Sequence, residues 1–271
     1  MSIESDQPAR SRREHDMPDG LMINRQADGR ILEVVLDRVE RGNALSASMY
    51  RELAEVIRGA ENDASIGALL IRSSRETFCM GGDIADDRGR RDPDYSAAIH
   101  DFTEQWLSRS IPAVALVDGA AQAFGCALAL SSDLVFSTER AWFALPELLH
   151  GLVPVYAIAV LDASGHAATG ARMMWQGKRF SGREISSFAN NVVLCASIQE
   201  AEEGIADIFT GWMGGNVDSL RRAKRFTNNA NDTNRHTILS GAHEALQQAL
   251  AFADEDPGKA QSYLTTADSS R

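Results

Sequence analysis

The chain has 271 residues, 44% apolar and 24% charged, long enough to bury a substantial core without disulfides. Its formal charge of −11 disfavours nucleic acid as a partner, because phosphate binding calls for a basic face. No apolar run approaches a membrane span, the N-terminus lacks a secretory core, and Cys79, Cys126 and Cys195 are too scattered for a disulfide framework or zinc site, so a reducing cytoplasm is expected.

Residues 1–20 are polar and without periodicity, and read as a mobile tail carrying Arg10, Arg12 and Arg13. Asp28-Gly29 ahead of Ile31, Val34, Val35 and Leu36 signals a hairpin. Ser46 caps a helix predicted to run to Asn62, with Met49, Leu53, Val56 and Ile57 at helical spacing. A buried strand is predicted over 67–72, a loop over 73–83, a charged stretch over 86–94 and a helix over 95–109 ending before Pro112. A second buried strand over 113–117 leads through a loop at Gly119 into a small-residue helix over 124–132. Short strands follow at 134–137 and 142–144. Beyond Val153 the pattern is mostly helical, with one short strand near 192–194, which fits α/β or α+β.

Three segments carry chemistry. Phe78-Cys79-Met80-Gly81-Gly82-Asp83-Ile84 follows a strand, and its paired glycines let backbone approach a ligand and leave amides uncovered. A plain glycine turn is an equally good reading of it alone, and it lacks dinucleotide-fingerprint spacing. The second segment runs from Val117 through Gly119, Ala123, Phe124, Gly125 and Ala127 to Asp133. Its helix start offers unpaired amides at the positive dipole end, although small residues also serve tight packing. The third, Leu145-Pro146-Glu147-Leu148-Leu149-His150-Gly151, embeds a carboxyl in an apolar run. Desolvation there raises a carboxyl pKa and suits it to acid/base work, whereas a solvent-facing helix-start glutamate is the plainer reading.

In this order and spacing the three segments resemble the crotonase, or enoyl-CoA hydratase/isomerase, superfamily across nearly the whole chain after the tail. Arg41-Gly42-Asn43-Ala44-Leu45 is similar to its R-x-N-A-L segment, where backbone and a basic side chain meet the CoA nucleotide. Gly165, residues 173–181 and Asn191-Val192-Val193 resemble its later helix, turn and N-x-V stretch. The resemblance implies an α/β spiral of ββα units. It divides the chain into a tail (1–20), a crotonase core (21–191) and a helical C-terminal region (192–271) that packs subunits into trimers or hexamers.

The same resemblance assigns the two oxyanion-hole donors to the backbone amides of Met80 and Phe124 and the acid/base to Glu147. Arg41, Ala44, Gly81, Gly82, Asp83, Ile84, Gly125, Ala127, His150 and Tyr156 are the expected substrate-binding positions. Phe124 is bulky for a site that backbone must open to a ligand, and Tyr156 stands where many members have glycine. His150 reads as a loop or packed histidine as readily as a ligand contact. Asp83 and Asp133 read as acceptors of backbone hydrogen bonds at turns. The first of the two glutamates of classical hydratases falls on Ala127, which can carry no proton. A single acid/base suits double-bond migration, elimination of water through an enolate, or protonation after decarboxylation.

The run from Phe143 to Pro154 also resembles the crotonase-like dehydratases of polyketide β-branching, which act on a 3-hydroxy-3-methylglutaryl group on a carrier protein. That favours dehydration or hydration over decarboxylation. A non-catalytic acyl-thioester-binding or scaffold protein is the rival from another class. Arg88, Arg90 and Arg91 sit where members place basic residues near CoA phosphates, but Asp86, Asp87, Asp92 and Asp94 interleave with them. The aromatic-plus-basic segment that touches adenine in the family is poorly matched at 259–263. The carrier is therefore CoA or an acyl carrier protein's phosphopantetheine, arriving with the substrate, and no separate cofactor, metal, nucleic acid or membrane is expected.

Overall fold

The structure is a computed structural model that describes residues 20–84, 92–230 and 235–255. Most of the expected tail, the Asp86, Asp87, Arg88, Arg90 and Arg91 cluster and residues 259–263 lie outside the described residues.

Strand β1 (Leu21–Gln26) turns back antiparallel onto β2 (Ile31–Leu36). The turn has positive φ at Ala27, Asp28 and Gly29, and the predicted Asp-Gly signal supplies two of these residues. Helix α1 (Ala47–Asn62) starts where Ser46 Oγ accepts the Met49 amide, and its helical-spaced Met49, Leu53 and Ile57 are buried. Strands β3 (Ala68–Ser73) and β4 (Ala113–Val117) flank helix α2 (Tyr95–Ser108) in sequence. With β6 (Leu134–Thr138) and β9 (Val192–Cys195), they complete a sheet of order β1-β2-β3-β4-β6-β9, parallel from β2 onward. Parallel strands joined by crossovers are covered on both faces, which is why all six residues of β2 are buried.

A second, three-stranded sheet was not fully legible. β5 (Ala120–Gln122) pairs parallel with β7 (Trp142–Ala144), which pairs antiparallel with the two-residue β8 (Phe180–Ser181). Ala-Ala-Gln has no β-branched residue and reads as loop; only its neighbours make it a strand. Helix α3 (Phe124–Leu130) follows at once and is buried along its whole length. Cys79 joins this small sheet from outside, its amide donating to the Ala120 carbonyl (3.0 Å) and its carbonyl accepting the Gln122 amide (2.9 Å). Gly125 makes the approach possible, because a Cβ there would lie 2.2 Å from the Cys79 carbonyl oxygen.

The rest of the chain is helical: α4 (Val155–Ala163), α5 (Ala167–Gln176), α6 (Gly182–Ser186), α7 (Ile198–Gly214), α8 (Val217–Ala230) and α9 (Arg235–Glu255). A division after residue 191 does not match this structure. β9 is the sixth strand of the main sheet, and Ala201, Ile205, Phe209 and Met213 of α7 pack on its Ile31, Leu70, Val114, Leu116 and Phe136 face. Leu239 and Ala242 of α9 join the larger core on the opposite face. Arg221 of α8 donates to the carbonyls of Ala60, Glu61, Asp63 and Ile66, satisfying the end of α1. Asp133 does more than accept a backbone bond: besides the Ala113 amide (2.8 Å) it binds Arg109 (3.1 Å) and Lys224 (2.7 Å). The C-terminal helices are thus fastened to the core of their own chain.

The contrast between two glycines is measurable. Gly59 is exposed on α1 with nothing within 4 Å of an added Cβ, so Gly59→Ala should raise unfolding stability by about 0.5–1 kcal/mol. Gly125→Ala should lower it by about 2 kcal/mol or more, since backbone must move to admit the methyl. Urea titrations of both variants at neutral pH check the pair.

Candidate active site

Three chain segments converge on one cavity. The first is held by Leu45, whose amide donates to the Gly81 carbonyl (2.8 Å) and whose carbonyl accepts the Asp83 amide (2.8 Å). Gly81 takes φ +104°, a left-handed value favouring glycine, and its Cα faces the second segment: a Cβ there would be 2.7 Å from Ala123 Cβ and 3.2 Å from Phe124 N. The second segment turns at Ala123, a non-glycine residue at φ 54°, ψ −129° whose amide donates to the Ala144 carbonyl (2.9 Å). Such a conformation costs of order 1–3 kcal/mol, and here it launches α3 so that the Phe124 amide is the helix's first.

Among the described residues the Phe124 amide has no backbone acceptor, as expected of a first helical N–H. The Met80 amide differs. It donates to the Gly42 carbonyl at 3.1 Å, so the expectation of two free amides needs correcting to one free and one engaged. The cause is the left-handed Gly42 (φ 56°), which closes the short 3-10 turn Val39–Arg41 against Met80. The Phe124 ring does not block the site. It packs edge-on against Tyr50 (5.5 Å between centroids) and Phe102 (6.2 Å), forming part of the cavity wall.

Glu147 opens a second 3-10 turn, Glu147–His150, between Pro146 and a left-handed Gly151. The Leu152 amide returns to the Glu147 carbonyl (3.0 Å), so the turn folds Leu148 and Leu149 outward and the carboxyl inward. Glu147 is 7% exposed, and its Oε2 is buried without a hydrogen-bond partner. Burial pushes its pKa up from the usual carboxylate range to about 7, with no counter-ion among the described residues to oppose it. Buried unpartnered carboxylate oxygens are rare and call for an explanation.

The cavity holds about 120 Å³ and is lined by Gly82, Tyr95, Phe124 and Glu147 among mostly apolar side chains. Ile84 and Tyr156 line it, together with Ile99 of α2 and Leu246 and Leu250 of α9. Sequence reasoning missed the α2 and α9 contributions, because apolar residues on helices look alike whether they face a core or a cavity. Tyr156 neither merely fills space nor stands alone. Its hydroxyl lies 3.0 Å from His100 Nδ1 and 3.3 Å from His243 Nδ1, joining α2, α4 and α9 behind the cavity.

The other expected positions fall elsewhere. Ala44, Gly81 and Gly125 are backbone supports, and Ala127 is a fully buried α3 residue that does not line the cavity. His150 ends the 3-10 turn, outside the cavity lining. Asp83 corrects the backbone-acceptor reading. Its buried carboxylate binds Arg38 (2.7 Å) and Arg41 (2.7 Å), so Arg41 is paired to the first segment. These pairs clamp the 38–45 and 78–84 segments together. Among the described residues no three His, Cys, Asp or Glu side chains gather to hold a metal ion, and no helix is long and apolar enough to cross a membrane.

Comparison with known proteins agrees with this geometry. The family profile for enoyl-CoA hydratase/isomerase matches residues 26–260. This chain belongs to that family, the crotonases. It is 27% identical over 244 residues to the carnitinyl-CoA dehydratase of Proteus mirabilis (strain HI4320), covering 84% of this chain and 93% of that one. A probable enoyl-CoA hydratase of Rhizobium meliloti (strain 1021) is 32% identical over 132 residues, 48% of this chain and 51% of that one. In fold it superposes on a solved enoyl-CoA hydratase of Mycobacterium avium subsp. paratuberculosis K-10 with a TM-score of 0.77. That match has 19% identity and covers 93% and 96% of the two chains. The fold is the crotonase fold, and the chain is an enzyme of that family.

A raised carboxyl pKa has a definite stability consequence. Below pH 4.5 both folded and unfolded Glu147 are protonated; between 4.5 and about 7 the unfolded chain alone releases the proton, so stability falls as pH rises. The ionised buried carboxylate then costs roughly 3 kcal/mol above pH 7. Glu147→Gln should therefore be more stable than the native chain at pH 8, with the gap closing toward pH 4.5, in paired urea titrations.

Proposed function

We propose that this crotonase is an acyl-thioester hydratase/dehydratase or isomerase that works through an enolate with one acid/base, Glu147. The observation that carries the reading is the buried Glu147 carboxyl, its Oε2 unpartnered, in an apolar cavity shared with the uncovered Phe124 amide. As a carboxylate, Glu147 takes the α-proton of a bound thioester, and the electron pair moves onto the thioester oxygen, to which the Phe124 amide donates a hydrogen bond. The Met80 amide takes part only by exchanging its Gly42 carbonyl for that oxygen. The enolate then expels a β-hydroxyl, to which Glu147 returns its proton, giving water and an enoyl thioester; run backwards, this is hydration. Delivered to the γ-carbon of an enoyl thioester, the same proton shifts the double bond.

A pKa near 7 leaves Glu147 able to serve as either acid or base near neutral pH. Ala127 offers no second carboxyl, so water and leaving hydroxyl depend on Glu147 alone. The substrate reaches the site as a CoA or carrier-protein thioester in the cytoplasm. In this reading the chain assembles into trimers or hexamers, which would cover the exposed Trp175 and Phe226.

The test is mass spectrometry of 3-hydroxyacyl- and enoyl-CoA thioesters, and their carrier-protein forms, in deuterated water. α-Deuterium exchange and loss or gain of water are expected, with exchange rising through about pH 7 as the carboxylate forms. Glu147→Ala should slow turnover about 10²–10⁴-fold. Turnover intact in that variant refutes the assignment. Binding with neither mass change nor exchange supports the scaffold reading, and release of CO₂ supports decarboxylation.

A further inference from the structure

We infer that Tyr156, its hydroxyl tied to His100 and His243, is the residue that limits the length of the acyl group this cavity accepts; this rests on the reading above only in placing an acyl thioester beside Glu147. Tyr156 is 4% exposed, belongs to the first turn of α4 and lines the cavity that Glu147 and Phe124 also line. Its hydroxyl lies 3.0 Å from His100 Nδ1 and 3.3 Å from His243 Nδ1. A hydroxyl has a single hydrogen, so it donates to one imidazole and accepts the Nδ1–H of the other. One imidazole sits on α2 and the other on α9, their ring centroids 4.8 Å apart.

A side chain fixed only at its Cα can turn away from an entering chain. Tyr156 is fixed at both ends: moving its ring would break two hydrogen bonds and strand a buried hydroxyl. The tether and the wall share the same helices. Ile99 precedes His100 on α2, and Leu246 and Leu250 stand about one and two turns beyond His243 on α9; all three line the cavity. The space is small as well. A cavity of about 150 Å³ takes a benzene molecule, so about five carbons fill the 120 Å³ here. A small side chain in place of the phenol would leave the ring's volume to a longer acyl chain.

The test is calorimetric binding of saturated acyl-CoAs, from butanoyl- to decanoyl-CoA, to the full chain carrying Glu147→Gln. Each methylene that finds apolar cover tightens binding about fourfold. Affinity should therefore climb from butanoyl- toward hexanoyl-CoA and then level off. With Tyr156→Ala added it should go on climbing, so that the decanoyl-to-butanoyl affinity ratio rises about tenfold or more. Tyr156→Phe keeps the ring and drops the tether, and its ratio should fall between the two. An unchanged ratio in either variant overturns the inference, and an unchanged ratio with lowered stability marks Tyr156 as a core residue only. α-Deuterium exchange of butanoyl-CoA by the native chain is read separately. Its absence overturns the Glu147 reading and leaves the binding ratios to decide Tyr156.

Discussion

The site depends on one short stretch of backbone pairing, Cys79 between Ala120 and Gln122. Two hydrogen bonds, 3.0 and 2.9 Å, join a loop that follows β3 to a strand that follows β4 and so fix the relative position of segments some forty residues apart. Without them the glycine loop and the start of α3 are separate turns. The pairing in turn requires Gly125, because any side chain there meets the Cys79 carbonyl. The strained Ala123 is a consequence: the chain leaves β5 and enters α3 within one residue, and the energy of that turn is offset by the packing of a fully buried helix.

Two buried carboxyls show how environment divides structural from chemical duty. Asp83 lies between Arg38 and Arg41, and its charge is met in place by two guanidinium groups that hold the segment together. Glu147 is about as buried, but among the described residues no cation opposes it, and desolvation outweighs the hydrogen bond from its own backbone. A paired carboxylate has little reason to exchange its proton, whereas an unpaired one is balanced between its two forms near neutrality. Ala127 carries no carboxyl, so on the proposed reading one proton carrier, Glu147, would have to complete every step.

The helices of the C-terminal third have a larger share in the site than their late position suggests. α7 seals the second face of the main sheet, and α9 brings Leu246 and Leu250 to the cavity wall. Residues from α2, α4 and α9 thus share the cavity wall with the two loops and Glu147.

The sequence by itself determined the elements with strong periodicity or clear punctuation: the Asp-Gly hairpin, α1 with its Ser46 cap, α2, β4 and the start of α3. It also marked Glu147, Phe124 and the Gly81-Gly82 loop, because a carboxyl in an apolar run and paired glycines are local signals. What it could not carry was anything made by contact between distant segments. β5 is a strand only because Cys79 and β7 lie beside it, β9 joins the main sheet across the intended domain boundary, and Asp83 finds two arginines a turn reading did not foresee. The engagement of the Met80 amide by Gly42 and the α9 wall are likewise tertiary. Hydrogen-bond partners and cavity faces are chosen by packing, and a residue's own neighbours in the chain do not record which face it will turn.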